Sequence, residues 1–167
     1  SNPMLTYPDS DAQEKAFKAL DLMVVVDTAM TETARLAHYV LPAASQFEKL
    51  EATGFTLEFP ENYFHLRHPI AQPMGEALPA PEIYTRLLEM MVVIPRKFPV
   101  LTAIARSEPD LTGHLGYMTA LGLTLSRNKR WAPYGASIMY RALGNALRDA
   151  AAAPLLPIAM AYAKEYA

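Results

Sequence analysis

The residue of this chain best placed to hold a ligand is Asp27, which closes the apolar run Leu22–Val26. A short, continuous, valine-rich run of this kind suits a strand covered on both faces, as in a parallel sheet. Open α/β sheets bind ligands outside the carboxyl ends of their strands, and Asp27 stands at such an end. An ionised aspartate only accepts hydrogen bonds, so it suits a ribose diol or the N–H edge of guanine. The plainer role is also open here, that of a polar residue ending a strand and capping the next turn. Lys49 follows in a polar loop with Glu48 and Glu51, where it can neutralise a phosphate or face solvent. Asn2-Pro3 reads as a turn, or as another strand-end loop of the same kind.

The other chemistry-bearing residues form no pattern. Ser45, Glu48 and His65 are the residue types of a hydrolase, but nothing in their spacing supports one. Among the four histidines only His65 and His68 are close, and that i, i+3 pair lies in a loop rather than on a helix. No glycine-rich dinucleotide fingerprint, P-loop, nucleophile elbow or HExxH zinc motif occurs. The chain has no cysteine, which excludes disulfides, thiolate metal sites and a cysteine nucleophile within its 167 residues.

Two regions must position these residues. Up to about Met91 the pattern alternates helix, strand and loop. Ser10 with Gln13 fits a capping box, followed by Ala12, Ala16, Phe17 and Leu20 at helical spacing. Thr31 or Thr33 can cap the next helix, with Glu32 near its positive end. Tyr39-Val40-Leu41 reads as a second strand stopped by Pro42, and Phe47 to Pro81 as mostly loop. Pro81 and Glu82 then open a helix with Ile83, Leu87, Met90 and Met91 on one side. After Pro95 the segments near Val100–Arg106, Leu111–Leu125, Tyr134–Ala151 and Leu155–Tyr166 read as helices separated by proline or glycine. The expected fold is α/β: a partial parallel-sheet, Rossmann-like domain over residues 1–93, then an all-α extension over 94–167.

Bulk properties narrow the function. Hydrophobic residues make up 51% and charged ones 19%, enough apolar material for a packed core. Lys and Arg total 15 against 17 Asp and Glu, so there is no overall electrostatic footprint for nucleic acid. The one basic cluster, Arg127-Asn128-Lys129-Arg130 beside Trp131, reads as a solvated turn. The longest apolar run, Ala150–Ala163, is shorter than a membrane span needs and holds two prolines. No nucleic acid partner and no membrane span are therefore expected, and no signal peptide opens the chain.

Taken in order, the motifs resemble the molybdopterin oxidoreductase family of formate dehydrogenases, nitrate reductases and dimethyl sulfoxide reductases. The resemblance rests on Asn2-Pro3, then Leu20–Asp27, then Met30-Thr31-Glu32-Thr33-Ala34, then Ala37–Ala44, then Phe47-Glu48-Lys49 and Gly54. Gly75-Glu76-Ala77-Leu78-Pro79 is similar to the turn before a later helix of that family. It covers roughly residues 1–91. It implies a molybdenum or tungsten ion held by two molybdopterin guanine dinucleotides, with Asn2, Val26 (through its backbone), Asp27 and Lys49 at the dinucleotide. The family's iron–sulfur cluster, metal-ligand residue and C-terminal barrel have no counterpart in these residues. The resemblance thus implies a fragment of an oxidoreductase, formate dehydrogenase-like, inactive alone and binding no cofactor or metal by itself. Its partners are the remainder of the same polypeptide and an electron-transfer subunit. The alternative is a non-catalytic module whose helical half docks a partner subunit.

Overall fold

A parallel strand pair carries Asp27, and a helical cluster downstream carries most of the core. The computed structural model describes residues 2–53, 65–107 and 115–144. In chain order, α1 spans Pro3–Thr6, α2 Ser10–Lys18, β1 Val24–Asp27, α3 Glu32–Arg35 and β2 Tyr39–Pro42. An antiparallel pair follows, β3 Glu51–Thr53 with β4 His65–Arg67, and then α4 Ala80–Met90. Three further helices are α5 Pro99–Ser107, α6 Leu115–Arg127 and α7 Gly135–Gly144, the last entered through a 3₁₀ turn at Ala132–Tyr134. The expected helices at 100–106, 111–125 and 134–151 are thus present wherever the chain is described; the one at 155–166 lies outside the described residues.

β1 and β2 run parallel, with Val24 opposite Tyr39 and Asp27 opposite Pro42. The crossover between them contains α3, capped as expected by Thr31, whose hydroxyl oxygen accepts from the Ala34 N–H. The β1–β2 ladder ends at Pro42, as expected, and an isolated parallel bridge between Ala43 and Leu78 follows it. His38 pins the start of β1: its Nδ1 accepts from the Met23 N–H at 2.9 Å.

Two expectations change. α2 is capped by Asp9 rather than Ser10; Asp9 takes a left-handed conformation (φ 61°) and accepts from the Ala12 N–H. Ser10 and Gln13 instead donate to the Met4 and Pro8 carbonyls, so no capping box forms. The stretch from Phe47 to Pro81 is mostly loop where it is described, with the short strands β3 and β4 in it. β1 is not covered on both faces: Leu22 is 63% and Val24 46% exposed, and no residue of β1 is fully buried.

The main core lies in the helices. Phe98, Leu101, Tyr117, Leu121, Ile138 and Leu143 are buried in one cluster, with Phe98 and Trp131 in edge-to-face contact at 5.9 Å. Burial pushes the Tyr117 hydroxyl well above its ordinary range. Trp131 packs against this core, partly buried, and of the basic residues beside it Arg127 ends α6 while Lys129 and Arg130 lie in a turn.

α4 joins the two regions. Its Ile83 is buried near Leu41 and Leu78, while Leu88 packs on the helical core. Arg141 of α7 reaches back to α4. Its Nε donates to Glu89 and its Nη1 to Glu82 at 3.3 Å. Arg86 also donates to Glu82, and the Arg141 guanidinium lies over the Tyr140 ring at 5.8 Å. The α4 end is a Schellman turn, with the Val92 N–H bonded to the Glu89 carbonyl and the Val93 N–H to that of Leu88. The residue at its left-handed position is Val92 (φ 56°) rather than glycine. No helix among the described residues is long and apolar enough to cross a membrane.

Candidate functional site

Asp27 and Asn2 converge on the turn that opens α3. Asp27 is half-buried at the carboxyl end of β1. Its Oδ1 accepts from the Thr28 N–H at 2.8 Å and its Oδ2 from the Thr31 hydroxyl at 3.4 Å. A carboxylate has about four acceptor positions. With two taken, Asp27 is oriented by its own turn and keeps acceptor capacity for a ligand donor.

Asn2 reaches the same turn from the N-terminal side. Its Oδ1 accepts from the Thr33 hydroxyl at 2.6 Å and from the Thr33 N–H at 3.3 Å. Its Nδ2 donates to Glu32 Oε2 at 2.6 Å, and the Thr33 hydroxyl oxygen accepts from the Met4 N–H. The Asn2 amide is therefore mostly committed to protein and acts by fastening α1 to α3. The Glu32 carboxyl is held below its ordinary value, first by its own backbone N–H and then by the Asn2 amide. Val26, half-buried, precedes Asp27 and pairs with Leu41.

Lys49 belongs to a separate cluster. Its Nζ lies 3.2 Å from Glu51 Oε1, while Arg67 bonds the other Glu51 oxygen at 2.6 Å. Two cations thus share one carboxylate, leaving a net positive charge. The Arg67 Nε–H is buried without an acceptor among the described residues. An anion in this loop would relieve both features.

Glu48 is the functional residue whose role the motif reading did not define. Its Oε2 accepts from the Ser45 N–H at 2.8 Å and its Oε1 from the Met74 N–H at 2.9 Å. Ser45-x-x-Glu48 is the spacing of a capping box, and the bond to Ser45 is the reciprocal half of that motif. The bond to Met74 ties the Lys49 loop to the Gly75 turn, and the Phe47 carbonyl reinforces it by accepting from Ile70 and Ala71. The Ser45 bond, ahead of that from Met74, holds the Glu48 carboxyl below its ordinary value. This use of Glu48 leaves no base for a hydrolytic Ser45. His65 and His68 are exposed, and no group of three metal-ligating side chains exists among the described residues.

The order of these elements, from the Asn2 turn through β1, α3 and β2 to the Gly75 turn, is matched by a family model. The model for molybdopterin oxidoreductases fits residues 1–90. The chain belongs to the molybdopterin oxidoreductase family. An F420-dependent formate dehydrogenase subunit alpha of Methanocaldococcus jannaschii is 41% identical over 90 residues, covering 54% of this chain and 13% of that protein. Probable oxidoreductase YyaE of Bacillus subtilis is 30% identical over 90 residues, with the same 54% and 13% coverage. The thiosulfate reductase molybdopterin-containing subunit PhsA of Salmonella typhimurium is 31% identical over 90 residues, 54% of this chain and 12% of that one. The chain spans about 13% of the length of the first of these relatives. The family implies a molybdopterin cofactor carrying molybdenum or tungsten. Residues 91–167 lie outside the matched segment.

Proposed function

We propose that residues 1–93 form part of a Rossmann-like domain that holds a guanine dinucleotide end of a bis(molybdopterin guanine dinucleotide) cofactor. The observation that carries this reading is the convergence of Asp27 and Asn2 on the Thr31–Thr33 turn, at the carboxyl end of a parallel strand. Asp27 offers acceptors to guanine N–H groups or a ribose diol. Asn2 fixes the turn that presents Asp27, and Val26 supplies backbone beside it. Lys49, assisted by the surplus charge of the Lys49–Glu51–Arg67 cluster, faces the pyrophosphate. Glu48 holds that loop in register. When bound, the molybdenum or tungsten supplies two-electron exchange with substrate, and an iron–sulfur cluster elsewhere in the full enzyme passes electrons on.

The chain alone is a piece of such an enzyme, formate dehydrogenase-like by its relatives, and has no catalytic centre of its own. Its short share of those relatives and the exposed faces of β1 support this, since parallel sheets are normally covered on both sides. The rest of the same polypeptide covers those faces, and an electron-transfer subunit completes the assembly. Residues 94–167 form the helical extension.

The test is calorimetric titration of GDP and ADP into the 167-residue chain. The expected result is tighter binding of GDP, with at least a tenfold loss and no remaining guanine preference in Asp27→Asn. Equal binding of GDP by wild type and D27N overturns the assignment of Asp27. Stoichiometric molybdenum or tungsten in the purified chain, measured by elemental analysis, sinks the idea of an incomplete site.

A further inference from the structure

A cleft of about 510 Å³ opens beside α4, lined by Arg86, Arg96, Lys97 and Arg141 together with Glu82, Glu89 and Met90. Four cations face two carboxylates there, an excess of two positive charges. The two carboxylates are already engaged. Glu82 takes Arg86 and Arg141, and Glu89 takes Arg141. Burial alone would raise the Glu82 carboxyl, but Arg86, Arg141 and Tyr140 outweigh it and hold it below its ordinary value. Glu82 therefore stays ionised and saturated, and cannot neutralise further cations.

Arg96 and Lys97 have no ion-pair or hydrogen-bond partner among the described residues, and Arg86 uses only its Nε on Glu82. These donors are not on a loose loop. Ile94 and Phe98, on either side of Pro95-Arg96-Lys97, are buried in the helical core. The Schellman turn at Val92 fixes the chain just before them. Three cations with open donors thus converge from two fixed elements on one concave volume, with Met90 as an apolar wall. That volume lies in the range of small-molecule sites. Arginine guanidinium groups match phosphate oxygens in a paired, planar geometry, and lysine adds a point charge.

We propose that this cleft binds a small phosphoryl-bearing anion, a pyrophosphate or phosphate ester, through Arg86, Arg96 and Lys97. Asp27, Asn2 and Lys49 do not line this cleft.

The test is titration of inorganic pyrophosphate into the 167-residue chain at constant ionic strength, followed by amide NMR shifts. Saturable shifts centred on residues 86–97 and 141 are expected, with at least tenfold weaker binding in R96E/K97E and unchanged binding in K49E. As a second measurement on unmutated protein, pyrophosphate should protect Arg86 and Arg96, but not Arg127 or Arg130, from phenylglyoxal. Non-saturable shifts, shifts reproduced by chloride, or equal affinity in R96E/K97E overturn the proposal. So does binding lost in K49E, which would move the anion to the Lys49–Arg67 cluster. A hexaglutamate peptide binding more tightly than pyrophosphate overturns it in favour of an acidic protein face. Loss of guanine preference in D27N with pyrophosphate binding intact separates this site from the dinucleotide site, whichever of the two fails.

Discussion

Arg141→Met removes the clamp between α4 and α7 while keeping a side chain of similar length. Glu89, its side chain 8% exposed, then loses its cation, and Glu82 keeps Arg86 and the Tyr140 hydroxyl. Removing one partner of a fully buried pair costs about 3–5 kcal/mol, because the other charge stays buried and unpaired. Here Arg141 is itself 20% exposed and Arg86 still serves Glu82, so solvent screening and the second cation reduce this to about 2–3 kcal/mol. The loss of the Arg141–Tyr140 contact adds at most about 1 kcal/mol. With a urea m-value of about 2 kcal/mol/M, the midpoint should fall by roughly 1–2 M. Urea unfolding followed by Trp131 fluorescence measures this, since Trp131 sits on the helical core. Glu89→Gln in the Arg141→Met background should restore part of the loss, because an unpaired buried amide is less unfavourable than an unpaired buried carboxylate. The double-mutant cycle should give a coupling of about 1 kcal/mol or more. A midpoint within 0.2 M of wild type, at about the resolution of the method, refutes the reasoning. So does a coupling near zero.

Three further outcomes follow from other places in the fold. Val92→Gly should stabilise the chain by about 0.5–1 kcal/mol in urea unfolding. It relieves about 1–2 kcal/mol of left-handed strain, against a gain in unfolded-state entropy and very little lost burial, as Val92 is 80% exposed; Val92→Ala should not reproduce this, and a destabilised V92G would show that no strain is held there. Asn2→Ala strands the buried Thr33 donors, which should lower stability by about 1–2 kcal/mol and raise amide hydrogen exchange at Met4–Thr6, whereas unchanged exchange would contradict the clip. The carboxyls of Glu32, Glu48 and Glu82 all sit below their ordinary value of 4.5. Their contribution is present above that value and is lost as pH falls through the lower folded values, so thermal midpoints should drop below about pH 4.5, and less steeply in Glu48→Gln; equal steepness in the two proteins would count against the Glu48 clamp.

The sequence by itself determined the elements that depend on neighbours within a turn or two. A strand ending in Asp27, one of the two threonine caps open to α3, Pro81 in the first turn of α4, and helices where apolar residues recur in α5 to α7 all appear in the structure. The order of the motifs was also legible, and the family match over residues 1–90 rests on it. Where local signals competed, the sequence misled. Asp9 and Ser10 can each cap α2, and Asp9 wins because its left-handed backbone frees Ser10 to reach the Met4 carbonyl. Only the tertiary structure decided which partner each polar side chain takes. Asn2 is satisfied 31 residues away at Thr33, Glu48 26 residues away at Met74, and Arg141 52 and 59 residues away at Glu89 and Glu82. Local propensity is fixed by steric and capping preferences within a few residues. These pairings depend on strand register and on how helices cross, which no short window of sequence encodes. The same reason explains the cleft beside α4: Arg86 and Arg96-Lys97 look like ordinary surface charges in the sequence, and only the buried anchors Ile94 and Phe98 bring them to one volume.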